Sequence, residues 1–161
     1  MQNKSYLWAL GGIVIVIGLF IWLALAPKKP VTTRTNREVA LLCTTDMATA
    51  FHIHPVLSIV INGKAEVMPS GIGISALCMN SLHTHDQSGT IHVESPEQRD
   101  FTLSDFFAVW NKTFSKDQIL DSKVDATHEI TVTVNGTKVD TYENTVLSDK
   151  DQIVISYAEK K

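Results

Sequence analysis

Five of the six histidines in this chain fall between His52 and His92. Four of them form two His-x-His pairs, His52-Ile53-His54 and His83-Thr84-His85, the second followed by Asp86. The only cysteines, Cys43 and Cys78, each stand a few residues upstream of one pair. In an extended strand residues i and i+2 point to the same face, so each pair can offer two imidazoles to one point in space. Imidazole and thiolate suit zinc and copper, whereas carboxylates alone would suit calcium or magnesium. The leading expectation is therefore a transition-metal site, zinc or copper, with His52, His54, His83 and His85 as ligands. Asp86 or His92 would then stand in support, because a ligating histidine usually donates its second ring N–H to a carboxylate or carbonyl.

Three histidines with an open position would make a catalytic site, and four closed ligands a structural or storage site. The spacing matches no standard zinc finger, no His-Glu-x-x-His helix and no blue-copper loop. The plainer reading is that the histidines build a polar network near a disulfide in a non-metal interaction module. A small metallohydrolase is a third reading, with His85 and Asp86 or Glu94 as a base and its orienting group. No nucleophile elbow, phosphate-cradling glycine loop or obvious carboxylate pair accompanies it, so the sequence leans away from an enzyme. His128 stands apart and reads as an ordinary surface residue. The two cysteines admit a disulfide, direct metal ligation or two buried thiols; no Cys-x-x-Cys supports thiol–disulfide catalysis.

These groups need a scaffold. Tyr6 to Ala26 is 21 residues without a charge, long enough to cross a bilayer as a helix. We read residues 1–27 as a retained N-terminal transmembrane anchor, with a cleaved signal peptide ending near Ala24-Leu25-Ala26 as the alternative. Residues 28–37 read as a basic, proline-containing tether, and 38–161 as one domain. Lys28, Lys29, Arg34 and Arg37 follow the apolar run and argue for a cytoplasmic domain. Two cysteines and many potential ligands argue for an oxidising, extracytoplasmic one, which is the placement expected here: a single-pass protein of the cell membrane. From Glu38 onward 9 Lys/Arg face 17 Asp/Glu, a formal charge of −8. That balance leaves no footprint for nucleic acid and would concentrate cations near the domain.

Within the domain, apolar spacing from Val39 to Phe51 predicts a helix over 38–51. Two β-prone runs joined by Asn62-Gly63 predict a hairpin, and Asn135-Gly136 predicts a second. Thr90 to Glu94 alternates like a half-buried strand. Thr102-Leu103-Ser104-Asp105 is a capping box opening a helix whose Leu103, Phe106, Phe107 and Trp110 form one apolar stripe, read as core. Ser115 to Leu120 suggests another helical turn, and Gln152 to Tyr157 a last strand. The expected fold is α+β: a mixed or antiparallel sheet built from two Asn-Gly hairpins with one packed helix. A β-grasp-like arrangement is the first choice and a β-sandwich the alternative.

The block from Cys43 to Trp110 resembles a family of small membrane-anchored proteins of bacteria and archaea. The resemblance rests on His52-Ile53-His54-Pro55-Val56-Leu57 with Asn62-Gly63, and on Pro69 to Ile74 and Cys78. It continues through His83-Thr84-His85-Asp86 with Ser88-Gly89, then Ile91-His92-Val93-Glu94, and ends at Phe101-Thr102-Leu103 with Phe106-Phe107 and Trp110. It covers a little under half of the chain. It implies an extracytoplasmic domain behind one N-terminal segment; the family has no assigned activity and lends no substrate or catalytic residue. Ser104 stands where such proteins often carry glycine.

Overall fold

A computed structural model describes residues 34–45 and 49–160. The expected anchor over 1–27, and the tether up to residue 33, lie outside the described residues. Among the described residues no helix is long and apolar enough to cross a membrane. Residues from Arg34 onward form one compact unit.

The chain opens with α1 (Asn36–Leu41), set by a capping box in which Thr35 Oγ1 accepts the Glu38 N–H and Glu38 accepts the Thr35 N–H. Then come β1 (Cys43–Thr44), β2 (Phe51–Ile53), β3 (Val56–Ile61), β4 (Lys64–Glu66), β5 (Met79–Asn80), β6 (Leu82–His83) and β7 (His92–Ser95). Helix α2 (Leu103–Trp110) follows, then β8 (Phe114–Ser115), β9 (Gln118–Ile119) and β10 (Ser122–Lys123). The second Asn-Gly hairpin is β11 (His128–Val134) with β12 (Thr137–Val139), and β13 (Gln152–Glu159) ends the fold.

The largest sheet has the order β12-β11-β13-β3-β4. Asn62 (φ 51) and Gly63 (φ 78), and Asn135 (φ 52) and Gly136 (φ 80), adopt the left-handed backbone that a tight two-residue hairpin demands. The last strand slots between the two hairpins, parallel to β3 and antiparallel to β11, so the sheet is mixed. Strand β13 is buried at Ile153, Ile155 and Tyr157 on one face, the period-2 pattern of a half-covered strand. The architecture is α+β with two helices among the described residues and open sheets.

Helix α2 brings Leu103, Phe106 and Phe107 into the core, with Trp110 packed on both phenylalanine rings. The stripe read from the sequence as core is core. Asp105 accepts the Thr102 N–H at its start and pairs with Arg37 Nε at 2.8 Å, which ties α1 to α2.

Two sequence expectations need correction. The helix expected over 38–51 is only the six residues of α1. Leu42 is extended and Cys43-Thr44 pairs antiparallel with Asn80 and Met79, while Phe51–Ile53 pairs with β7. Non-local strand pairing outweighs a weak local helical preference in a stretch carrying β-branched Thr44 and Thr45. The helical turn expected over 115–120 is instead the β8–β9 hairpin, with Lys116 and Asp117 at its turn. Ser115 Oγ accepts the Asp117 N–H and Glu143 accepts the Lys116 N–H, so side chains satisfy the turn's backbone donors.

Candidate metal centre

The histidines lie on a small three-stranded sheet of order β2-β7-β6. Its register sets Ile53 and Leu82 on either side of Val93, and sets His52 opposite Glu94 and His83 opposite His92. Because side chains alternate, Ile53, Val93 and Leu82 occupy one face and His52, Glu94, His92 and His83 the other. The apolar row is 8%, 0% and 0% exposed. Burying that row fixes which way the imidazoles point; a one-residue slip would turn them into the core.

Local devices hold each pair extended beyond the strand ends. Pro55 follows His54 and disfavours the helical region for it. The His54 N–H donates to Asp149 Oδ1 at 3.0 Å, and the Pro55 carbonyl accepts the Ile91 N–H. In the second pair the middle residue, Thr84, is fully buried and clamped on the opposite side. Its hydroxyl donates to the Pro69 carbonyl and accepts the Ile72 N–H. Its own N–H donates to Ile72, and its carbonyl accepts the Gly71 N–H. With Thr84 anchored there, His83 and His85 are left to the other face.

The result is two groups of three, His52 with His54 and His92, and His83 with His85 and His92; in each, the candidate ligand atoms lie within 4.8 Å of one another. Ring centroids are 4.4, 5.9 and 4.7 Å apart in the first group and 4.9, 5.4 and 4.5 Å apart in the second. A zinc–imidazole bond of ~2.0–2.1 Å puts each centroid ~3.2 Å from a tetrahedral ion, hence centroids ~5.2 Å apart. Both groups straddle that spacing.

His83 is the most informative member. It is wholly buried, and its Nδ1 lies 3.0 Å from the Asn80 carbonyl, so the N–H sits on Nδ1. The Nε2 lone pair is buried and, among the described residues, has no hydrogen-bond partner. Leaving a buried acceptor unpaired costs about 1–3 kcal/mol. An imidazole that donates one nitrogen to a carbonyl and presents the other bare is the arrangement of a ligating histidine. Burial holds the His83 pKa below its ordinary value, against the Asn80 hydrogen bond, which acts the other way. The pKa of His92 is pushed down to about 4, first by burial and then by the neighbouring His85, His54, His83 and His52. Both rings are therefore neutral near pH 7 and keep their lone pairs.

Glu94 is the carboxylate of this face. Its Oε1 lies 3.2 Å from His52 Nε2, and it exerts an attractive effect on protonated His83. Asp86 sits in neither group. Its Oδ1 accepts the Ser88 N–H at 2.9 Å, and Ser88 holds its pKa low, with His92 and His85 as smaller causes. Asp86 thus shapes the 86–90 turn. The groups placed to orient imidazoles are the Asn80 carbonyl and Glu94.

Cys43 and Cys78 are joined as a disulfide. Thiolate ligation and a pair of free thiols, both open from the sequence, are excluded by that bond. The disulfide sits where β1 pairs with β5, and Asn80, which receives the His83 N–H, is the partner of Cys43 in that ladder. Asn80 also donates its side-chain amide to the Ala40 carbonyl. His128, expected as a plain surface residue, is half-buried, stacks on Tyr157 and bonds Asp125 through Nδ1. It belongs to neither group of three.

What sequence reasoning missed is the place of His92. Its spacing from the two pairs suggests a supporting role, yet it lies on the central strand and belongs to both groups. The alternation Ile91-His92-Val93-Glu94 already put His92 and Glu94 on one polar face; the strand order that centres them is non-local. No family model, curated protein or solved structure matches this chain. The resemblance of the motif string therefore rests on its own residues.

Proposed function

We propose that this chain is a membrane-anchored extracytoplasmic protein whose folded domain binds a transition metal, copper or zinc, through the histidine face of β2-β7-β6. The carrying observation is His83: a neutral, fully buried imidazole with Nδ1–H on the Asn80 carbonyl and a bare Nε2, in ring contact with His85 and His92. An all-imidazole donor set suits copper and zinc. The disulfide supports an oxidising compartment, and the apolar run over 6–26 supports an anchor. The strand order with its central parallel pair supports the β-grasp-like reading of the larger sheet. The role is metal handling, or a metal-held module in a surface assembly.

A small metallohydrolase is the second reading. It is favoured by Glu94 beside His52, since three imidazoles with an open position and an adjacent carboxylate are a hydrolytic donor set. Elemental analysis of the full chain purified without added metal, followed by zinc and copper(II) titration, tests the first reading. Tight binding to at least one metal supports it. No binding to either at micromolar concentrations, with the disulfide intact, leaves only a polar interaction module.

A further inference from the structure

The histidine face has a centre and two flanks, and this bears on how many ions it takes. The inference rests on metal binding at this face. Among the described residues, all six histidine ring contacts in the cluster lie either inside a His-x-His pair or between a pair and His92. None joins one pair to the other. The cause is strand order: β7 separates β2 from β6. Strands lie ~4.8 Å apart, so the two flanking backbones stand ~10 Å from each other. One ion bound by both pairs would have to sit where the His92 ring is.

We propose that the face holds two ions at once, one held by His52, His54 and His92 and the other by His83, His85 and His92, with His92 bridging them as an imidazolate. His92 lies on the strand between the two pairs and belongs to both groups. Its ring stands edge-on to His54 at 89° and to His85 at 80°, with both centroids within 4.7 Å. Neither of its nitrogens makes a hydrogen bond among the described residues. The balance is simple. The neutral ring gives up its remaining N–H proton to solvent, each nitrogen donates a lone pair to one ion, and no electrons are transferred. Bonds of ~2.0 Å on both sides of the ring put the ions ~6 Å apart. Glu94 beside His52 offsets part of the added positive charge, as does the acidic balance of the domain. Each ion keeps an open position after its three nitrogens.

The test is titration of the full chain with zinc alone and with copper(II) alone, read by calorimetry and by electron paramagnetic resonance. The expected result is two equivalents of metal per chain. The two-copper form should show a magnetically coupled pair, with less than half of the additive signal intensity. His54→Ala should lower the count from two equivalents to one, without coupling. His92→Gln, which keeps a polar side chain but cannot bridge, should abolish coupling and weaken both sites at least tenfold. Circular dichroism of each variant checks that it has folded. Saturation of the wild-type chain at one equivalent overturns the two-ion proposal while leaving metal binding intact. Two equivalents with fully additive copper signals overturn the bridge. Binding of neither metal overturns the functional reading itself.

Discussion

Acid should weaken the metal-free domain well above the pH at which its carboxylates titrate, and His92 should be the largest single cause. In the unfolded chain an imidazole titrates near 6.5, whereas in the fold His92 does so at about 4. A base whose folded pKa is lowered contributes its full share of stability above pH 6.5. As pH falls from 6.5 toward 4 the unfolded chain takes up the proton and the folded one does not, so stability declines across that window and levels off below it. At 1.36 kcal/mol per pH unit the whole interval is worth ~3.4 kcal/mol. Solvent reaches part of the ring and screens its neighbours, which reduces the expected loss to about 1.5–2 kcal/mol. His83 shifts in the same direction and adds to it. Asp86 and Asp125 are held below the ordinary carboxylate range, mainly by hydrogen bonds from Ser88 and Thr127, so their contributions fall away at lower pH.

The assay is urea unfolding of chelator-treated protein at pH 7.5, 6.5, 5.5 and 4.5. Trp110, packed on Phe106 and Phe107, is the fluorescent reporter of the domain. The wild-type chain should lose stability across the window, and His92→Gln should lose roughly 1.5 kcal/mol less, since the variant has no ring to protonate there. Parallel pH curves for the two proteins would refute the argument. They would mean that burial, helped by the four neighbouring imidazoles, does not keep His92 neutral.

Three further outcomes follow from contacts elsewhere. Replacing Cys43 and Cys78 by serine opens a link between residues 35 apart; chain entropy puts the loss at ~3–4 kcal/mol. Because Asn80 is anchored by the same β1–β5 ladder, metal affinity should fall along with the unfolding midpoint. Gly89→Ala should destabilise the domain, because Gly89 has φ +85 and an added Cβ would meet the Leu57 carbonyl at 2.3 Å. A thermal melt unchanged from wild type would show that the 86–90 turn relaxes freely. Glu94→Gln should reduce metal affinity about 10-fold by releasing His52 from its orienting carboxylate, as outer partners of ligands generally do; equal affinities by calorimetry would remove Glu94 from the site.

How much of this the sequence discloses depends on how local the cause is. The Asn-Gly turns were legible because two adjacent residues carry the whole signal: both must take positive φ, and both do. The α2 stripe was legible because its spacing and its cap lie within nine residues. The stretch after Leu41 was misread because the same apolar positions fit a helix until Cys43 meets Asn80, 37 residues away in the chain. Ser115 to Leu120 was misread at shorter range, since a two-residue turn without glycine or proline gives little warning. The parallel union of β3 and β13 carries no local mark at all: both are plain runs rich in apolar and β-branched residues.

The site divides along the same line. Period two told which residues share a face, so the His-x-His pairs stood out; it cannot tell which strand lies between two others. That fact decides the chemistry. Had β6 lain beside β2, four imidazoles would have met directly and His92 would have sat at the margin. With β7 between them, every histidine on the flanks is in ring contact with His92 and none with the opposite pair. The apolar backs of the same strands enforce this, because Ile53, Val93 and Leu82 form one buried row whose register cannot shift without exposing core. The arrangement of the imidazoles is thus held from behind, and changes to that row should alter metal binding without touching a ligand. Val93→Ala is the clearest case. It removes two methyl groups from a fully buried position between Ile53 and Leu82, at a cost of about 1–3 kcal/mol, and leaves all five histidines in place. Weakened metal binding in a folded Val93→Ala protein is the expected result. Unchanged affinity would show that the histidine face is organised from its own side alone.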